Sequence, residues 1–185
     1  ATSPTFDPNS LPENMTYQNP IISYEYEPGS TMKIYTYMCA IDKGTYRGEE
    51  GFQSGSYTTG PNTIHDWNEV GWGTISYDVG FEYSSNIGAL NVVRNFLNKN
   101  DLKNCLYKYG FGAKTGIELA NETTGNIDYN SSVEIDSLTA SYGQGISTTA
   151  VQHLQAMSMI ANGGYMVKPH IISKMVTADG KEIVT

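Results

Sequence analysis

Apolar residues recur at helical spacing in four stretches of the chain. Residues 30–41 are apolar on nearly all sides and end near Gly44, which predicts a buried helix. Residues 86–97 and 101–109 have the one-sided pattern of shorter amphipathic helices. A further helix is predicted over residues 147–161. Its expected inner face is Ala150, Leu154, Met157, Ile160 and Ala161.

The remaining segments predict turns and short strands. Residues 44–77 are rich in Gly, Thr, Ser and Asn, which favours loops with short strands. Residues 165–184 have the pattern of a hairpin with its turn at Asp179-Gly180. Residues 1–29 are expected to be irregular because proline interrupts them at Pro4, Pro8, Pro12, Pro20 and Pro28. These elements predict an α+β chain, mostly helical with few strands.

Composition narrows the functional classes. The 185 residues are long enough for one core, and 14 tyrosines argue against a disordered chain. A net charge of −8 with scattered basic residues argues against a nucleic-acid binder, since phosphate neutralisation needs clustered Lys and Arg. No apolar run approaches the roughly 18 residues of a membrane span.

Cysteine and histidine suggest no metal or cofactor. Cys39 and Cys105 fall in predicted helices without a C-x-x-C spacing, so we expect buried free thiols, with a disulfide left open because the compartment is unknown. His65, His153 and His170 are far apart and are expected to be core or solvated residues. We therefore predict neither a metal nor a cofactor.

Ser30 and Lys33 are the first candidates for catalysis. At a separation of three on a helix they share one face, about 5–6 Å apart at Cβ. Lys33 lies in an apolar stretch, where desolvation lowers the pKa of an amine and makes it a plausible base for the serine hydroxyl. Taken alone, a helix cap at Ser30 with an outward-reaching Lys33 is the more common meaning of this spacing.

A second polar group precedes the next amphipathic helix. Ser84-Ser85-Asn86 can project a hydroxyl and an amide into one cleft, although an ordinary helix cap explains the tripeptide equally well. In a cleft shared with Ser30, the Ser84 hydroxyl would relay a proton. The Asn86 amide would hold both Lys33 and a substrate carbonyl.

These motifs together resemble class B penicillin-binding proteins, most closely the Gram-positive division type. Residues 26–33 (Tyr-Glu-Pro-Gly-Ser-Thr-Met-Lys) are similar to that family's nucleophile motif, and residues 84–88 to its second motif. Segments of the same family are matched in order at 109–119, 141–152, 161–164 and 168–170, within a likeness that runs from about Pro4 to Val176.

The resemblance implies a D-Ala-D-Ala transpeptidase that crosslinks peptidoglycan through an acyl-Ser30 intermediate. Lys33 would be the base, Ser84 the proton relay and Asn86 an anchor, with Trp67 and Ser85 as substrate contacts. Core packing is an equally good explanation for Trp67. The implied ligands are stem peptides and β-lactams, and the implied location is the outer face of a bacterial membrane, with a single-pass anchor and cell-division or wall-synthesis partners bound through other regions.

The pattern departs from the family at its third motif. A Lys-Thr-Gly strand should follow the last helix, and the Lys-Thr-Gly at residues 114–116 comes too early in the order. We therefore expect residues 1–185 to be part of a transpeptidase domain, with an incomplete central sheet, exposed apolar helix faces and little activity of its own. A non-catalytic β-lactam sensor or scaffold is the alternative. A serine β-lactamase is less favoured because Glu118 and Glu122 do not supply its usual Glu-x-x-Leu-Asn arrangement.

Overall fold

The computed structural model describes residues 7, 9–10, 18–98 and 100–184, so Pro4, Pro8 and Pro12 lie outside the described residues. A short 3-10 turn, Gly29–Thr31, leads into the second helix. The helices are α1 Pro20–Ser23, α2 Met32–Asp42, α3 Tyr77–Glu82, α4 Asn86–Phe96, α5 Asp101–Lys108, α6 Glu134–Ala140 and α7 Ala150–Ala161. The strands are β1 Gly51–Gln53, β2 Ser56–Thr59, β3 Asn62–His65, β4 Thr74–Ser76, β5 Lys174–Val176 and β6 Glu182–Val184.

Helix α2 lies at the centre of the helical core. It packs against α4 and α5, and α4 in turn packs against α3 and α6. The predicted burial of α2 on nearly all sides is confirmed, since Met32, Tyr35, Tyr37, Cys39 and Ala40 are all buried. A helix enclosed in this way gives the residues at its N-terminus a fixed position.

The strands form three antiparallel pairs in the described part of the chain: β1 with β4, β2 with β3, and β5 with β6. In the first pair Phe52 lies opposite Ile75, and in the second Tyr57 lies opposite Ile64. The predicted tail hairpin is confirmed by the pairing of Met175 with Ile183. The chain is therefore an α+β fold in which helices predominate and the sheet is incomplete, as predicted.

Helix α7 packs through a different face from the one predicted. Its N-terminus is fixed by a capping box between Thr149 and Gln152. Val151, Gln152 and Ala156 are buried, whereas the expected inner residues Leu154, Met157 and Ile160 are exposed. The predicted inner face was wrong, but the expectation that apolar helix faces would be exposed is confirmed on this helix.

Three short helices and the exact start of α2 were not predicted. Helices α1, α3 and α6 have four, six and seven residues, too few for a hydrophobic period to be recognised. Helix α2 begins at Met32 because the 3-10 turn, rather than an α-helical turn, carries Ser30.

Cys39 and Cys105 form a disulfide that joins α2 to α5, with their Cα atoms 5.9 Å apart. The prediction of free thiols was therefore wrong. The two residues are 66 positions apart, and a single pair at that separation carries no sequence signal for its partner.

Candidate active site

The 3-10 turn before α2 places Ser30 at the surface. Gly29 adopts φ +58°, a conformation that glycine reaches at little cost, and its N–H donates to the Gly143 carbonyl at 3.0 Å. Ser30 is exposed and precedes an 11-residue helix, whose unpaired N–H groups and dipole favour negative charge at this end.

The loop at residues 141–146 holds this turn from the other side. Thr36 of α2 donates its hydroxyl to the Ser141 carbonyl at 2.8 Å. A Cβ atom at Gly143 would lie 2.3 Å from the Gly29 carbonyl oxygen, so only glycine permits this approach. The position of Ser30 thus depends on a backbone contact with a distant segment.

Lys33 is buried beside Ser30, with 2% of its surface exposed. Its Nζ donates to Ser30 Oγ at 3.1 Å, to Ser84 Oγ at 3.1 Å and to the Ser84 carbonyl at 2.5 Å. Burial lowers the pKa of Lys33 from 10.5 to about 8. The negative charge of Asp66 acts in the opposite direction and raises the pKa, but burial is the larger effect. About a tenth of the lysine is therefore a neutral amine at pH 7, so it can act as a base.

Ser84 is held in an unusual backbone conformation. Its φ is +55°, the left-handed region that non-glycine residues rarely adopt. This conformation turns both its carbonyl and its hydroxyl toward Lys33. Three of the four predicted catalytic residues, Ser30, Lys33 and Ser84, therefore share one hydrogen-bonded cluster.

Asn86 lies close by but is bound differently from the prediction. Its Nδ2 donates to the His65 carbonyl at 2.9 Å, and no hydrogen bond joins it to Lys33 within the described ranges. The expected lysine anchor is therefore not formed in this structure, because the amide is used to fix the segment before Asp66. A role toward substrate stays a prediction.

Ser85 is a structural residue here, not a substrate contact. It is fully buried and caps α4, accepting from the Gly88 N–H at 2.8 Å. Its hydroxyl donates to Asp66 Oδ1 at 2.7 Å. We correct the substrate-binding prediction for Ser85 on this ground, while the helix-cap alternative holds for this one residue of the tripeptide.

Asp66 is the residue that sequence reasoning missed. Buried beneath the second motif, its carboxylate accepts from Ser85 Oγ, from the Ile87 N–H at 3.1 Å and from the Gly55 N–H at 2.8 Å. It thereby joins the β2–β3 hairpin to the N-terminus of α4. Its position between His65 and Trp67 in a polar stretch gave no sign of burial.

Trp67 lies on the surface next to this network. It is 68% exposed, which rules out core packing. Its Nε1 donates to the Tyr83 carbonyl at 2.9 Å, immediately before Ser84 in the chain. The Trp67 ring is therefore accessible, and its contact with substrate stays a prediction.

Comparison with known proteins decides the family. The family model described as the penicillin binding protein transpeptidase domain matches residues 1–184. This chain belongs to the penicillin-binding protein transpeptidase family. The class B relationship indicated by the two serine motifs is confirmed by the relatives that follow.

The transpeptidase chain is similar to curated proteins and to solved structures. It is 30% identical to stage V sporulation protein D of Bacillus subtilis over all of this chain, and 33% identical to PbpB of Mycobacterium tuberculosis over 97% of it. It covers 29% and 27% of those two proteins.

Among solved structures, it matches penicillin-binding protein 3 of M. tuberculosis in complex with aztreonam. The TM-score is 0.84 at 30% identity, over 98% of this chain and 41% of that one. Penicillin-binding protein 2X of Streptococcus thermophilus matches at 32% identity and TM-score 0.78, over 88% and 24% of the two chains. The transpeptidase chain thus spans about a third of the length of these relatives.

The early Lys-Thr-Gly of this transpeptidase chain is bound into a structural loop. Glu122, which is buried, accepts from the Thr115 N–H and hydroxyl at 2.7 and 2.5 Å and from the Gly116 N–H at 3.1 Å. Those hydrogen bonds occupy the carboxylate of Glu122. The same loop lies against the side chain of Lys168.

No group of three His, Cys, Asp or Glu side chains is arranged to hold a metal ion in residues 18–98 and 100–184. His153 is half-buried, and its ring packs among those of Tyr26, Tyr35 and Phe111. Over the same part of the transpeptidase chain, no helix has the length and apolar character needed to cross a bilayer.

Proposed function

We propose that the protein containing this chain is a peptidoglycan D,D-transpeptidase that acts through an acyl-Ser30 intermediate. One observation carries the proposal: the Nζ of a buried lysine with a pKa near 8 lies 3.1 Å from the hydroxyls of both Ser30 and Ser84. Relatives named as peptidoglycan D,D-transpeptidases support the same reaction, among them an FtsI homologue that is 32% identical over 97% of this chain.

The geometry supports a two-step acyl transfer. Neutral Lys33 takes the hydroxyl proton as Ser30 Oγ attacks the penultimate D-Ala carbonyl of a stem peptide. Ser84, hydrogen-bonded to the same Nζ, passes a proton to the departing D-Ala amine. An acceptor amine then attacks the ester and releases Ser30, which regains its proton.

The proposed ligands are peptidoglycan stem peptides and β-lactams, since a relative with this fold has been solved in complex with aztreonam. We place the protein at the outer face of the bacterial membrane, held by a single-pass anchor, with division or wall-synthesis proteins as partners through regions outside this chain. Residues 1–185 are proposed to be one part of the transpeptidase domain, consistent with the 41% of the solved relative that they cover.

Labelling with a fluorescent penicillin tests the proposal on the full protein that contains this chain. Intact protein should carry one adduct on the peptide containing Ser30, and Ser30→Ala should abolish it. Ser132→Ala, at an exposed serine on the α6 side of the chain, is the matched control and should label normally. Label on any other residue would overturn the assignment.

Two further measurements separate the alternatives. Release of D-Ala from a D-Ala-D-Ala peptide or thioester analogue would distinguish the enzyme from a β-lactam sensor or scaffold. Rapid turnover of the penicillin in place of a lasting adduct would indicate a β-lactamase. The isolated 185 residues have no Lys-Thr-Gly after α7, so we expect them to acylate weakly or not at all.

A further inference from the structure

Three aromatic rings, two of them exposed and one half-buried, form a surface beside the Ser30–Lys33–Ser84 cluster. We call Trp67, Trp72 and Tyr83 the aromatic shelf. The rings of Trp67 and Trp72 meet edge to face at 5.9 Å, and those of Trp72 and Tyr83 lie 5.1 Å apart. Trp67 is 68% exposed and Tyr83 is 45% exposed. Large aromatic surface left in water beside a reactive cluster is typical of a binding surface.

The shelf is held rigidly. The Trp67 indole N–H is fixed on the Tyr83 carbonyl at 2.9 Å. The turn that carries Trp67 is closed by Asn68, whose amide side chain bonds both the N–H and the carbonyl of Gly71. Gly71 also lies directly on the backbone of Gly55, where a Cβ atom would approach to 2.4 Å. A surface that is already ordered loses little entropy when a ligand binds.

The shelf adjoins the proposed chemistry at two points. Tyr83 is followed directly by Ser84, whose hydroxyl bonds Lys33. Trp67 follows Asp66, which holds the second motif in place. A ligand on the shelf would therefore lie next to Ser84, whose hydroxyl bonds the same Lys33 amine as the Ser30 hydroxyl.

The charge around the shelf selects the kind of ligand. Residues 48–93 contain six Asp and Glu and no Lys or Arg. Glu69 and Glu82, next to the shelf in sequence, are both exposed. Lys33, the lysine of the proposed site, is buried, and its pKa is lowered to about 8. Aromatic faces attract cations through the ring quadrupole, and exposed carboxylates add to that attraction.

We propose that the aromatic shelf binds the ammonium group of the acceptor stem peptide before it attacks the acyl enzyme. The inference rests on the proposed transpeptidase function and adds the place where the second substrate is held. The bound ammonium must lose two protons to become an amide. As its nitrogen bonds to the acyl carbon and the bond to Ser30 Oγ breaks, one of those protons returns to Ser30 and the other passes to solvent.

The two indole groups of this chain provide a direct test, because both of its tryptophans belong to the shelf. In a 1H–15N spectrum of the chain they give the two indole N–H signals. We would titrate a capped Ala-Lys-Ala peptide, its Ala-norleucine-Ala analogue and a tetramer of N-acetylglucosamine. We expect the lysine peptide to shift both indole signals, with at least about threefold tighter binding than the norleucine peptide.

Salt and variants test the charge contribution. Raising NaCl from about 0.05 to about 0.5 M should weaken the binding of the lysine peptide and leave the binding of the norleucine peptide unchanged. Trp67→Leu and Glu69→Gln should each weaken lysine-peptide binding about two- to fivefold, followed through the Trp72 signal. Tyr165→Leu, at an aromatic residue of the tail that is also exposed, is the control and should bind the lysine peptide normally.

Three results would overturn the inference. Equal shifts with the norleucine peptide would make the shelf a merely apolar surface. Tighter binding of the saccharide would make it a glycan surface. Unchanged indole signals with all three probes would leave it with no ligand of these classes. The penicillin label on Ser30 is measured separately, so a failure of the shelf is distinguishable from a failure of the proposed enzyme.

Discussion

Replacing Lys33 with methionine should change how the stability of this protein depends on pH. Burial lowers the pKa of Lys33 to about 8 in the folded chain, whereas the unfolded chain has the ordinary value of 10.5. Between these two values the unfolded state binds more protons than the folded state, so the free energy of unfolding rises with pH. The charged lysine is thus a penalty that is fully present below pH 8 and is lost as the pH rises toward 10.5.

The size of the effect follows from the two pKa values. A difference of roughly 2.5 pH units corresponds to about 3 kcal/mol in full. Of this, about 1 kcal/mol is recovered between pH 7 and pH 9. Burial raises the pKa of Tyr35 to about 12 from 10, so tyrosine titration affects stability chiefly above this window. Methionine has a similar length and no proton to lose, so the variant should lack the gain.

Urea unfolding followed by circular dichroism at pH 7, 8 and 9 measures the difference. We would subtract the free energy of unfolding of Lys33→Met from that of the unmodified chain at each pH. This difference should rise by about 1 kcal/mol between pH 7 and pH 9. Ser30→Ala keeps the lysine and serves as the control, with the same pH dependence as the unmodified chain. A difference that stays flat from pH 7 to pH 9 would show that Lys33 is an ordinary solvated lysine, and its role as base would fall with it.

Three further predictions concern the framework around the cluster. Gly143→Ala should lower the free energy of unfolding in urea by roughly 2 kcal/mol or more, because its Cβ would overlap the turn that carries Ser30. Gly163 also has a positive φ but has open space around it, so Gly163→Ala should lower the free energy of unfolding by only about 1 kcal/mol. Reducing the bond between Cys39 and Cys105 should lower the free energy of unfolding by up to about 4 kcal/mol, given their separation of 66 residues, and an unchanged midpoint in reductant would contradict this. Burial lowers the pKa of His153 from 6.5 to about 4, so the free energy of unfolding should fall by about 2 kcal/mol from pH 7 to pH 5. The variant His153→Phe should not show this fall.

The elements that sequence predicted correctly are those with a long local pattern. Helices α2, α4, α5 and α7 each extend for eight or more residues, enough for apolar spacing to define them, and glycine follows all of them except α4. The buried face of α7 was mistaken because its apolar residues surround most of the helix. Tertiary contacts, rather than pattern, determine which of them are covered.

Within the site, too, the residues predicted correctly are those that a local sequence pattern marks. Ser30 and Lys33 are three residues apart, so helical spacing placed them on one face, and Ser84 was a candidate from its own tripeptide. The family resemblance then favoured a shared catalytic cluster over ordinary helix caps, and the hydrogen bonds of Lys33 join all three residues. Asp66 and the Gly143 contact come from segments far away in sequence, which no local pattern reports. Asn86 was placed in the right region, but its partner is a backbone carbonyl, and backbone partners leave no trace in residue identity.

The left-handed backbone of Ser84 imposes two requirements on one residue. Glycine would relieve a conformational cost of about 1–2 kcal/mol but would remove the hydroxyl, and alanine would keep the cost while losing the same group. Folding and chemistry therefore favour different residues at this position. A library of variants at position 84 of the full protein, sorted once for soluble expression and once for antibiotic labelling, should return glycine from the first selection and serine from the second.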